Sequence, residues 1–250
     1  MTKAGAWPFV ALALLTGAAP ASAAGFNLGW NDCPSGATYA LLETFACDTN
    51  EGFHTLIGSF VAPPGINAMS ANEVFIEMQT GGPVLANWWT MGTGLCRPAS
   101  SLGSSFDFAA GPFTCYEYWQ SGPVGALSWR AHPFAVNRCR ILGVFALPPG
   151  DPRITSVPEG VEVYSFKAII HNDKSTGLGA CTGCSDEACI VLNVLTIDQP
   201  APNPPTFLTN PAVSGHVVWQ GWSTTDPNNQ CPAVTPARKQ TWGLIKAIYR

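Results

Sequence analysis

Nine cysteines, at positions 33, 47, 96, 115, 139, 181, 184, 189 and 231, all follow an N-terminal export-type leader, and this combination constrains the fold more than any other feature of the chain. The leader, MTKAGAWPFVALALLTGAAPASAAG, has Lys3 as its positive start, an apolar run from Ala6 to Leu15 and the small-residue sequence Ala21-Ser22-Ala23. These are the three parts of a secretory signal peptide, expected to span residues 1–23. The apolar run is shorter than the roughly 20 residues that cross a bilayer, and no later segment reaches that length. A secreted protein, extracellular or periplasmic and without a membrane span, is expected. In an oxidising compartment such a cysteine density implies a disulfide framework.

An odd count leaves at least one thiol over. Cys139, in NRCRILGVFAL, shares a period-2 face with Ile141, Phe145 and Leu147 and suits a small buried hydrophobe. The other eight (Cys33, Cys47, Cys96, Cys115, Cys181, Cys184, Cys189 and Cys231) sit in turn-like contexts. Pairing Cys33 with Cys47 and Cys96 with Cys115 would close short loops, each worth about 3 kcal/mol in the chain-entropy model. The last four could form two bridges, one tying the C-terminal segment to the core, but spacing does not fix the connectivity. The segment CTGCSDEAC also admits a zinc reading, since four thiols can make a tetrahedral site. Close pairs are usual in such sites, whereas Cys189 and Cys231 are far apart, so disulfides are favoured and no metal is expected there. A redox role for the CxxC lacks the surrounding strand-helix pattern.

Only 11% of residues are charged, while 46% are hydrophobic and the chain has 25 Gly and 22 Pro. Such punctuation excludes a coiled coil or long-helix bundle, and nine Trp exclude a disordered chain. Period-2 runs predict half-buried strands. In NEVFIEMQT, Val74, Ile76 and Met78 oppose Glu73, Glu77 and Gln79; in VEVYSFKAIIHN, Tyr164, Phe166, Ala168 and Ile170 oppose Ser165, Lys167 and His171. YALLETFAC, FHTLIGSFVA, ALSWRAHPF, RCRILGVFAL, CIVLNVLTI and HVVWQGW are further strand candidates, separated by Gly/Pro clusters. The fold class expected is all-β, an antiparallel β-sandwich of jelly-roll type stapled by disulfides. Residues 24–197 would form the sandwich, DQPAPNPPT (198–206) a stiff linker, and 207–250 a C-terminal segment. That segment ends in one helix over 236–249, with Thr235 as cap, Pro236 in the first turn, and Trp242, Ile245 and Tyr249 on one face.

Chemistry is sparse. No G-x-S-x-G, H-E-x-x-H or phosphate-binding glycine loop occurs, and no cofactor is expected. The net charge of −4 lacks the basic footprint of a nucleic-acid binder. His54, His132, His171 and His216 are isolated in sequence. Glu73 and Glu77 share a strand face but stand roughly 13 Å apart along it, too far for the carboxylate pair of a glycosidase. Glu117, in CYEYW, is the best single acid, because a carboxylate among aromatic rings can have a raised pKa. Asp48 and Asn50, in Asp48-Thr49-Asn50-Glu51, begin a calcium-like ligand pattern but lack its remainder. Trp88, Trp89 and Trp119 are candidate platforms for sugar faces, against the plainer alternative of core packing.

The segments FNLGWNDC, CTGCSDEACIVLN and TWGLIKAIYR resemble those of secreted Cys/Trp-rich hypothetical proteins of uncultured candidate-phylum bacteria. That resemblance carries no assigned activity and implies no catalytic residue. The strand-rich middle resembles cohesin and carbohydrate-binding sandwiches in architecture, which implies a cohesin-like fold without a motif to map. The expectation is a secreted or cell-surface module without catalysis, binding glycans or another surface protein. A polysaccharide hydrolase using Glu117 and an extracellular assembly protein are the alternatives.

Overall fold

The computed structural model describes residues 23–221. The leader through residue 22, the helix expected over 236–249 and Cys231 lie outside the described residues. Eleven strands follow in order: β1 (Gly25–Trp30), β2 (Leu42–Glu43), β3 (Phe53–Val61), β4 (Ala71–Thr80), β5 (Leu102–Ser105), β6 (Val124–Ala131), β7 (Arg138–Ala146), β8 (Glu162–His171), β9 (Ala188–Asp198), β10 (Thr206–Leu208) and β11 (His216–Trp219). One sheet has the order β1-β3-β8-β5. The other runs β2-β11-β9-β4-β7-β6, with β10 also paired to β9. All pairings are antiparallel except β2 with β11.

Alternation explains the layering. Val74, Ile76 and Met78 of β4 and Cys139, Ile141 and Phe145 of β7 face inward. They meet Leu28, Leu56, Phe60, Phe166 and Ala168 of the opposite sheet in one apolar core. Polar partners on the outward face of β4 are satisfied across strands: Glu77 accepts from Arg140 at 3.2 Å, and Gln79 from Arg138 at 2.6 Å. One edge is closed by backbone bonds between sheets, as Phe26 N–H donates to Asn210 O, Ala212 N–H to Phe26 O and Leu28 N–H to Ser214 O.

Two one-residue irregularities alter the expected faces. Gly58 pairs with Phe166 but Ser59 pairs with Tyr164, which leaves Ser165 as an extra residue in β8. An inserted residue reverses side-chain direction beyond it. Phe166, Ala168 and Ile170 point into the core as expected, but Tyr164 points outward and stacks on Phe108, with ring centroids 4.1 Å apart. Asn193 is the corresponding extra residue in β9. The buried Ser165 hydroxyl donates to Asn72 Oδ1 at 2.8 Å, so the bulge costs no orphaned hydroxyl.

The cysteine pairing differs from the local one. Cys33 bonds Cys115, Cys47 bonds Cys184, and Cys96 bonds Cys181, with separations of 82, 137 and 85 residues. Cys189 is also disulfide-bonded, and Cys139 is free and buried. A two-sheet topology brings distant loops together at its ends, which sequence spacing does not reveal. Loops of this size are worth nearer about 4.5 kcal/mol each in the chain-entropy model. The proline-rich 198–206 stretch connects β9 to β10, and β10 and β11 both pair with β9. YALLETFAC contributes only β2. No helix among the described residues is long and apolar enough to cross a membrane.

Gly58 lies against the ring of Phe166, where a Cβ would collide with the aromatic carbons. Gly58→Ala should therefore cost about 1–3 kcal/mol through overpacking. Thermal unfolding checks this, and an unchanged Tm would refute the close approach.

Candidate functional site

Residues 107–115 loop over the outer face of the β1-β3-β8-β5 sheet, between Phe106 in the main core and Tyr116, which bridges Val163 at the edge of β8. They stay there because Phe108 and Cys115 join Cys33, Ile57 and Tyr164 in a small apolar cluster apart from the main core. A buried carboxylate completes the attachment. Asp32 Oδ1 accepts from Cys33 N–H at 2.8 Å and from the Tyr164 hydroxyl at 3.1 Å, while Oδ2 accepts from Thr114 Oγ1 at 2.7 Å. The Tyr164 hydroxyl in turn accepts from Thr114 N–H at 3.0 Å. Burial is the main force pushing its pKa up to about 12.

On the open side of this segment Lys167, Asp107 and Glu117 form a ledge of mixed charge. Lys167 Nζ donates to Gly111 O at 2.7 Å and stands 4.6 Å from the Phe108 ring centroid. Asp107 Oδ1 accepts from Ala109 N–H at 2.8 Å and Ser121 Oγ at 2.9 Å. Those bonds hold its carboxyl below the usual carboxylate range. Glu117 Oε1 accepts from Gln120 N–H at 2.8 Å, whereas Oε2 is enclosed without a hydrogen-bond partner. Burial raises the Glu117 pKa against the pull of the Gln120 and Trp119 amides, and the charge of Asp107 adds to the rise. Burial lowers the Lys167 pKa, opposed by Asp107 and Glu117. Two aromatic side chains of the same segment reach solvent: Phe113, 78% exposed and laid back over Gly111, and Tyr116, 47% exposed. The ledge thus offers an ammonium donor, carboxylate acceptors and an open ring.

The aromatic platform expected from Trp88, Trp89 and Trp119 is not what the structure contains. Their exposures are 0%, 1% and 0%. Trp88 and Trp89 occupy a 3-10 turn, Asn87–Trp89, so strand alternation does not send one of them outward. Trp88 Nε1 donates to Ser175 Oγ at 2.9 Å, and the buried Arg97 guanidinium lies 3.8 Å from its ring centroid. Trp119 Nε1 donates to Ser165 O at 2.9 Å, plugging the β8 bulge. All three fill the core, so the platform assignment is withdrawn for them.

The calcium-like turn has another use. Asn50 Nδ2 donates to Thr176 O at 3.1 Å, and Thr176 N–H donates to Asn50 Oδ1 at 3.0 Å. The Asn50 amide is therefore a clip between the turn and the 172–187 loop, and Asp48 gains no convergent partner from it. Among the described residues the one close group of potential ligands is Cys33, Cys115 and Glu162. Its two sulfurs are bridged to each other, which leaves no thiolate to bind a cation.

Sequence inspection found Glu117 but missed Asp107 and Lys167. Lys167 sits on the outward side of a strand, where a solvated cation is the ordinary expectation, and Asp107 belongs to no motif. The proline-glycine punctuation at Gly111-Pro112 was the available signal for a shaped loop beside Glu117. Asp198 was also missed: burial, with a further push from Glu73, raises its pKa to about 6.

No family model and no curated protein matches the chain. Among solved structures, a cohesin module from a Clostridium perfringens family 33 glycoside hydrolase aligns over 75% of this chain and 97% of its own, at 8% identity and a TM-score of 0.30. So distant a likeness carries no argument, and none of these comparisons supports the secreted bacterial group that the sequence resembles.

The raised pKa of Asp198 means that its ionised form is disfavoured in the fold. An unfolded Asp titrates near ~3.9, so this group's contribution to stability improves as pH falls from above about 6 to below about 4. Asp198→Asn should raise the Tm at pH 8, with the gain disappearing near pH 4; a pH-independent difference would contradict the assignment.

Proposed function

We propose that the chain is an exported recognition module without a reaction of its own, and that the ledge binds a carbohydrate. The observation that carries this reading is the exposed Phe113 ring over Gly111, whose carbonyl accepts from Lys167, itself under the charges of Asp107 and Glu117, in a protein whose expected tryptophan platforms are buried. A sugar presents an apolar C–H face to a ring and hydroxyls to flanking charges. Phe113 supplies the ring, Lys167 a donor and Asp107 an acceptor. Disulfides across distant loops suit an extracytoplasmic setting, where such bridges persist. The net charge of −4 disfavours nucleic acid as the ligand.

On a glycan array the wild type should bind a defined set of sugars, and Phe113→Ala should weaken binding by about tenfold, as expected for losing an aromatic contact of about 1–1.5 kcal/mol. An array without signal, or one unchanged by Phe113→Ala, would remove the carbohydrate reading.

The raised pKa of Glu117 favours a second reading, a hydrolase with Glu117 as general acid. It predicts polysaccharide cleavage by the wild type and at least a hundredfold loss in Glu117→Gln. Cleavage that survives the substitution would eliminate this residue as the acid.

A further inference from the structure

The chain is acidic overall, yet the β6–β7 hairpin contains no acid. From residue 118 to residue 150 the sequence has no Asp or Glu, while Arg130, Arg138 and Arg140 fall within that stretch. Arg130 stands directly opposite Arg140 in the register of the two strands. Arg138, two residues from Arg140, shares its face. That face is the outer one, because the alternate residues Cys139 and Ile141 lie in the core. His132 joins the group, with its Nε2 3.2 Å from a guanidinium nitrogen of Arg140 and 3.3 Å from Glu77 Oε1.

The fold neutralises this group only in part. Glu77 of β4 pairs with Arg140 at 3.2 Å. Arg138 donates instead to the neutral Gln79, and the neighbouring carboxylates Glu73 and Glu187 form no ion pair with the arginines. Arg130 is exposed and makes no hydrogen bond or ion pair among the described residues. Like charges directly opposite each other destabilise a strand pair, so folding alone gives no reason to set Arg130 against Arg140. An anionic partner does.

The turn that ends the hairpin is apolar. Phe134 is 90% exposed and Val136 75%, and Val84, on the loop after β4, is 61% exposed. The two loops are stitched together: Leu85 N–H donates to Val136 O at 2.8 Å, Thr80 N–H to Asn137 O at 3.1 Å, and Asn137 Nδ2 to Gly82 O at 3.3 Å. Phe134 N–H donates to His132 Nδ1 at 3.1 Å, which fixes the tip against the cationic face. Arg138 and His132 lie two residues behind the tip and Arg130 and Arg140 four, roughly 7 and 13 Å along the strands. Apolar groups that dock on a bilayer sit about 5–10 Å into its headgroup boundary, with cations behind them at the phosphates. The hairpin has its layers in that order. An acidic polysaccharide or peptide would neutralise the arginines but offer Phe134 and Val136 no apolar phase to enter.

We propose that the β6–β7 hairpin docks the protein on an anionic phospholipid surface, with Phe134, Val136 and Val84 entering the interface and Arg130, Arg138 and Arg140 on the lipid phosphates. The hairpin belongs to the larger sheet and the carbohydrate ledge to the outer face of the other, so the two surfaces are separate.

The exported protein should sediment with vesicles of equal parts phosphatidylglycerol and phosphatidylcholine. It should bind pure phosphatidylcholine at least tenfold less, since each arginine near an anionic surface contributes about fivefold. Phe134→Ser/Val136→Ser changes no charge and alters exposed positions, so it should weaken vesicle binding at least tenfold at an unchanged Tm. Arg130→Gln/Arg138→Gln should weaken it at least tenfold and flatten its salt dependence. Absence of vesicle binding, equal binding to the two lipid mixtures, or binding unchanged in Phe134→Ser/Val136→Ser would overturn the proposal. Retention on polyglutamate or polygalacturonate in place of vesicles would assign the arginines to an acidic polymer and overturn it as well. The lipid comparison and the serine variant decide the matter even if the glutamine variant does not fold.

Discussion

The indole N–H of Trp219 donates to Cys184 O at 2.7 Å, and much of the molecule is organised around that contact. Trp219 ends β11 inside the core, while Cys184 belongs to the long connection between β8 and β9 and is bonded to Cys47. The Trp219 ring lies against Trp30, Phe45, His54, Trp88 and Trp89, with centroid separations from 4.4 to 6.0 Å. Rings from both sheets and from two loops thus converge on one side chain. Buried indoles bring large apolar area but need their N–H groups satisfied. Trp219 meets that need with a carbonyl that the disulfide holds in place.

Arg97 shows how polar groups are handled at the same end of the sandwich. Its guanidinium is wholly enclosed, donates to Trp88 O at 3.1 Å and to His171 O, and lies over the Trp88 ring. Burial lowers its pKa to about 10, still cationic at neutral pH, with Asp173 acting in the opposite sense. The cation joins the 3-10 turn to the end of β8, and the neighbouring Cys96 is tied to Cys181. Charge is scarce in this chain, and here it serves as internal fastening. The ledge around Lys167 is different, because its charges border an open aromatic ring.

Much of the strand pattern was legible in the sequence because half-buried strands alternate. β4 and β7 follow their period-2 faces throughout, and β8 does so from Phe166 onward. A bulge has no compositional mark, so the reversal at Tyr164 was invisible. β1 was missed because all six of its residues are buried and none supplies a polar alternation. The bridges between distant loops depend on topology, which periodicity does not encode. Glu117 was recognisable from the rings beside it; Lys167 and Asp107 gain their meaning only when residues 107–115 fold over the outer face of the sheet.

Cys139 has a consequence for how the bridged cysteines endure. Its thiol lies in the core, and burial raises its pKa to about 12. Attack on a disulfide requires a thiolate with access to sulfur, and this residue has neither in the folded protein. The odd cysteine therefore cannot reshuffle the bonds around it once packing is complete. Scrambling becomes a hazard of the unfolded chain alone, so the apolar core that hides Cys139 also preserves the chosen set of disulfides.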